Sequence, residues 1–176
     1  MATETAGVES TPWDSDVLLP DEILRESPSA KDGVTAEVEL AHRVWGAELA
    51  QEAAILLRLP QVVTCTAQNL FHRFLYRKSL RRFDAFAVAM GALFLAAKIE
   101  ERPKRLRDVL FVFYHTHRKR KGLPHKVLEV GGVRYQTWKD ALVKTERHLL
   151  KELGFMFYSI CDHPHKFILY YVRTLD

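Results

Sequence analysis

From Thr35 onward the apolar positions recur three and four residues apart, and the chain divides into five helical blocks. In the first, Val38, Ala41, Val44, Trp45, Leu49, Ala53, Leu56 and Leu57 form a stripe, interrupted by Glu52, that runs to Leu59–Pro60. Pro60 suits the first turn of a second helix, whose stripe is Val63, Ala67, Leu70, Phe71, Phe74 and Leu75. Asp84 is an apt N-cap for a third, predicted over residues 85–101 and halted by Pro103. A fourth is predicted over about residues 105–119, with Leu106, Val109, Leu110 and Phe113 inward. A fifth, over about residues 137–153, closes on Gly154 as a glycine cap, with Phe155 as the apolar contact residue. Between these two, Gly131–Gly132 suits either a small hairpin or an irregular loop. Helical spacing returns over residues 167–175.

The third block sets the architecture. Ala85 to Ala97 are uncharged and apolar on every side, which predicts a buried hub for the other helices. The expected fold is all-α, five helices around a central apolar one. Residues 1–33 contain Pro12, Pro20, Pro28, Gly7 and Gly33 without sustained periodicity, and read as an extended arm. Its short apolar pieces, 17–19 and 23–24, suit packing onto the body.

Two charges break the pattern. The hub delivers Lys98, Glu100 and Glu101 at its end, and Glu146 lies in line with Leu142, Leu149, Leu150 and Leu153 of the fifth helix. An ion in apolar surroundings costs several kcal/mol unless it is paired. Either Lys98 and Glu146 pair with each other and pin two helices, with Lys98 gaining about 0.3–1 kcal/mol from a helix C-terminus, or a second molecule compensates them.

Composition narrows the setting. Of the 176 residues 48% are apolar and 27% charged, as in ordinary soluble proteins, and the apolar run of the hub is too short to span a bilayer. Residues 1–16 lack the basic start and apolar core of a signal peptide. Only Cys65 and Cys161 are present, so no disulfide framework is expected and the chain reads as intracellular. Residues 1–33 carry eight of the 22 acidic and two of the 26 basic side chains, which leaves an arm of −6 and a body of +10. Such a body suits nucleic acid, an acidic partner, or simple solvation. Its basic clusters are Arg77, Lys78, Arg81 and Arg82; then Arg102, Lys104, Arg105 and Arg107; then His117 to Lys121. In the last, Arg118, Lys119, Arg120 and Lys121 fit a nuclear-import signal, an RNA contact, or a helix end complementing its dipole.

Candidate chemistry is sparse. No phosphate-binding glycine loop, nucleophile elbow or HExxH pair is present, which argues against an enzyme. Glu100 and Glu101 are adjacent on a helix and diverge by about 100°. Cys161, His163 and His165, and the pair His115 and His117, lack structural-zinc spacing, so no metal is expected, nor any cofactor or small-molecule substrate. His72 reads as a satisfied, half-buried histidine. Ser27-Pro28 is either a proline-directed phosphorylation site or a turn.

The segments LFLAAKIEERPKRLRDV (93–109) and VKTERHLLKELGF (143–155) resemble the core signatures of the cyclin box, and five helices in this order belong to that family. DHPHKFILYYV (162–172) resembles the transcription-type cyclins. LLRLPQVVTCTAQNLFHRF (56–74) with KSLRRFD (78–84) is most similar to the cyclin L branch. The resemblance implies an acidic extension over 1–33, a first cyclin box over 34–158, and over 159–176 a linker and the start of a second box cut short. Phe167, Ile168, Leu169, Tyr171 and Val172 would then lack their packing partners within a fragment or short product, to which no role of a second box or of the family's arginine/serine-rich tail is assigned. It also implies that Lys98 and Glu146, with Ile99, Glu100, Lys139, Leu150 and Phe155, grip a cyclin-dependent kinase, of PITSLRE type. The chain would be that kinase's activating subunit, nuclear, serving transcription and pre-mRNA processing. The alternative is a nucleic-acid-binding module of the general transcription factor type, which shares the fold and would use the basic body.

Overall fold

The computed structural model describes Asp21, residues 25–155, His163 and residues 165–175. The apolar pieces 17–19 and 23–24 of the arm, Cys161 and most of the expected linker lie outside these residues. Helices α1 (Pro28–Lys31), α2 (Ala36–Leu56), α3 (Gln61–Arg77), α4 (Ala85–Ile99), α5 (Leu106–Arg120), α6 (Val133–Glu152) and α7 (His165–Leu175) follow in order. No strand occurs among the described residues, and residues 130–131 form a turn that bends at Gly132 into the next helix.

Helix α4 is the hub. The Asp84 carboxylate accepts from the Phe86 N–H at 3.3 Å, and Ala85 and every residue from Val88 to Ala97 are buried. Helices α2, α3, α5 and α6 all pack against it. Two glycines set how closely. A Cβ on Gly46 of α2 would lie 2.2 Å from the Phe71 ring of α3, and one on Gly91 of α4 would lie 2.8 Å from Thr145 Cγ2 of α6. Neither helix pair could close to this separation around a larger side chain. At the other end of the hub, Phe86 meets Phe113 and Trp138 edge-on, which joins α4 to α5 and α6.

The inward faces of α3 and α5 are those the spacing predicts, with Leu106 partly rather than fully buried. The face of α2 is not. Val38, Ala41, Val44 and Leu56 are exposed, while Glu39, Arg43, Gly46, Ala50 and Ala54 turn inward beside Leu49, Ala53 and Leu57. Glu39 and Arg43 tolerate burial because they pair at 2.7 Å; Arg43 also stacks 4.2 Å above the Tyr76 ring and donates to the His72 carbonyl at 3.3 Å. Ser27 caps α1 and donates to Glu39, and the buried Ser29 hydroxyl accepts from the Leu80 N–H at 3.1 Å. The end of the predicted arm is thereby fixed to the body.

Boundaries shift in three places. Pro60 is the N-cap of α3, outside its first turn. Helix α4 stops at Ile99, two residues before its predicted end, with Glu100 as C-cap. Helix α6 starts at Val133, a turn early, with Gly132 supplying no capping side chain. In α7 the apolar Phe167, Ile168, Tyr171 and Val172 are exposed.

Candidate partner-binding site

The last turn of α4 and the middle of α6 come together at one pair. Lys98 Nζ donates to Glu146 Oε1 at 2.6 Å, and the same ammonium sits 4.2 Å from the centre of the Phe94 ring one turn earlier. The two sides differ in exposure: the Lys98 side chain is 46% accessible and that of Glu146 only 13%. Lys98 therefore is not buried, contrary to the expectation from its apolar run; α4 ends there, and the side chain leaves the core along Phe94. Glu146 is the more enclosed partner, and Lys98 supplies the charge that compensates its carboxylate. Because Gly91 lets α6 settle at Thr145 and Leu149, the carboxylate between them is carried to the end of α4.

The other candidates divide. Lys139, Glu146 and Leu150 are spaced seven and four apart and share one stripe of α6. Ile99, next to Lys98, and Leu150, one turn after Glu146, are partly buried and pack on the core. Lys139 is exposed two turns up the stripe from Glu146. Glu100 turns elsewhere: its carboxylate accepts from the Thr66 hydroxyl of α3 at 2.5 Å. Phe155 is not the inward contact that a glycine cap predicts. It follows Gly154 in the left-handed region at φ +60° and stays exposed, joined to α6 by its N–H to the Leu150 carbonyl. The outcome is a surface ion pair with an apolar border, a form suited to a partner that desolvates it. Sequence spacing left two contributors unnoticed: Phe94, which the i,i+4 relation to Lys98 signals, and Thr66, for which no signal exists.

Residues 36–158 match the family model described as the cyclin N-terminal domain. The chain belongs to the cyclin family. It is 48% identical over 158 residues to "Cyclin-L1-1" of Oryza sativa subsp. japonica, 45% over 162 to "Cyclin-L2" of Mus musculus, and 44% over 160 to "Cyclin-L1" of Homo sapiens. In each case 90% of this chain is covered, against 36%, 30% and 30% of the relative. The chain thus spans about a third of the length of the curated relatives it matches. The all-α hub architecture agrees with the expected cyclin-box fold, and the Lys98–Glu146 pair lies inside the matched domain.

Much of the basic charge of the cyclin box is already committed. Arg118 donates to the Pro124 carbonyl at 2.6 and 2.9 Å, and Lys119 and Arg120 bind Glu52 of α2 at 2.9 and 3.0 Å. Burial pushes the Glu52 carboxyl up, but the hydrogen bonds and charges of Lys119 and Arg120 outweigh it and hold it below its ordinary value. Lys78 pairs with Glu152, Arg82 with Asp32, and Arg81 donates to the Asp32 carbonyl. Arg102, Lys104 and Arg105 have no ion-pair partner among the described residues. No group of three metal-ligating side chains occurs among those residues, and none of their helices is long and apolar enough to cross a membrane. His72 is half-buried, and desolvation, then the Arg43 charge, lowers its pKa.

Proposed function

We propose that this cyclin box is the docking part of an activating, non-catalytic subunit of a cyclin-dependent serine/threonine kinase. The observation that carries the reading is the Lys98–Glu146 pair at the surface of the matched domain, with the partly buried Ile99 and Leu150 adjoining it along α4 and α6. A kinase needs the glutamate of its regulatory helix paired to its phosphate-binding lysine. A surface that binds only the helix-in arrangement shifts the kinase toward it by its differential affinity. In that complex the ammonium and carboxylate act as desolvated polar anchors, and the flanking apolar groups supply packing. Lys139 and Phe155 extend the contact as exposed neighbours; Glu100 contributes through the shape of the helix end.

The likeness to proteins named cyclin L supports a PITSLRE-type kinase, nuclear residence and a role in transcription and pre-mRNA processing. The test is co-purification of the tagged chain from nuclear extract, with the attached kinase identified by mass. Recovery of a PITSLRE-type kinase with the native chain and its loss with Glu146→Lys is the expected result. Recovery of no cyclin-dependent kinase contradicts it.

Nucleic-acid binding is a second reading, favoured by the uncommitted Arg102, Lys104 and Arg105. If they neutralise three phosphates of a single strand, log K falls with log salt with a slope of about −2. Binding that is undetectable at low salt removes this reading.

A further inference from the structure

The Thr66 hydroxyl is fully buried and stands at a junction of three segments. It donates to Glu100 Oε1, on the C-cap of α4, at 2.5 Å. On its other side it lies 2.7 Å from Nε2 of His163, two residues before α7. With its one proton given to the carboxylate, the hydroxyl accepts from the imidazole, which fixes the Nε2–H form of His163 in this arrangement.

We propose that Thr66 is a positioning residue: one hydroxyl that registers the segment entering α7 against the same end of α4 that presents Lys98 and Ile99. Two features give the junction this task. Glu100 follows directly on Lys98 and Ile99, so its capture by Thr66 fixes the direction in which the helix end leaves the core. Helix α7 has eleven residues, and all its described side chains are exposed. A helix that short is marginal without tertiary support. The Thr66–His163 bond ties the entry of α7 to the body, and losing it loosens α7 while the core around Thr66 persists. The end of α4 and the entry to α7 are in this way held in register through one side chain. The inference does not depend on the kinase reading.

Amide hydrogen exchange on the full chain tests it, alone and without a partner. Thr66→Val keeps the shape of the side chain and removes both bonds; Thr66→Ser keeps both. Exchange over residues 165–175 is expected to quicken roughly ten- to hundredfold in Thr66→Val, with core amides of α3 and α4 as slow as in the native chain. Thr66→Ser restores native exchange. His163→Ala, at a half-buried site that perturbs the fold least, gives the same acceleration, and the double variant is no faster than either single one. Unchanged α7 exchange in His163→Ala overturns the proposal, as does acceleration that simply adds in the double variant.

Discussion

Gly91 and Thr145 define the separation of α4 and α6, since a methyl group on Gly91 would lie 2.8 Å from Thr145 Cγ2 and 3.2 Å from Leu149 Cδ1. Both neighbours are buried, so neither can swing aside. Gly91→Ala is expected to lower stability by about 1–3 kcal/mol, even though alanine is the better helix former. Chemical denaturation with an unchanged m-value measures it. The same substitution pushes Glu146 away from Lys98, so it weakens partner binding without touching the contact surface.

The Glu39–Arg43 pair is enclosed, with side-chain accessibilities of 10% and 11%. Glu39→Ala leaves a guanidinium with insufficient compensation and is expected to cost about 3 kcal/mol. It also removes the acceptor of Ser27, so the loss includes docking of α1. Replacing both partners by apolar residues of similar volume, as in Glu39→Leu with Arg43→Met, recovers much of the stability; urea midpoints of the three variants decide.

Stability should fall on mild acidification. Desolvation lowers the pKa of His117 in the aromatic cluster, with Lys121 the next cause, and desolvation and Arg43 lower that of His72, both from an ordinary 6.5. A group held neutral in the folded state binds its proton more tightly when unfolded. Its contribution is complete above pH 6.5 and is lost as pH falls from there toward the folded pKa values. The melting temperature is expected to drop between pH 7.5 and about 5.5. His117→Phe should flatten that dependence, because phenylalanine retains the edge contacts with Phe86 and Trp138.

Large apolar residues announce the hub and the inward stripes of α3 and α5; that Lys98 and Glu146 meet, one of two readings open in the sequence, is seen in the structure. The large apolar residues misdirect the reading of α2. There the buried face is built from Gly46, Ala50, Ala53, Ala54 and an ion pair, whereas Val38, Val44 and Leu56 lie outside. Spacing weighs bulk, and a face that gains by close approach uses small residues. The ring of Phe71 entering the space over Gly46 is what phases the helix. The Glu100 carboxylate turns to Thr66 for a related reason. Motif position puts it beside Lys98, but the helix ends one residue earlier, and Thr66, thirty-four positions away, supplies the donor. No local pattern carries such a long-range hydrogen bond. Phe155 likewise follows the glycine-cap rule in sequence, yet takes a left-handed conformation itself and faces solvent.

The most direct test is calorimetric titration of a purified PITSLRE-type kinase domain with the native chain, Lys98→Glu, Glu146→Lys and the double charge swap. Circular dichroism first establishes that each variant is folded. Each single reversal is expected to weaken binding about thirtyfold or more, the loss typical of an anchor at the centre of an interface. The double swap, which restores the internal pair, should remain weak, because the kinase meets each charge at a fixed place. Native affinity in both single variants, with the fold intact, would contradict the assignment of this pair as the kinase grip.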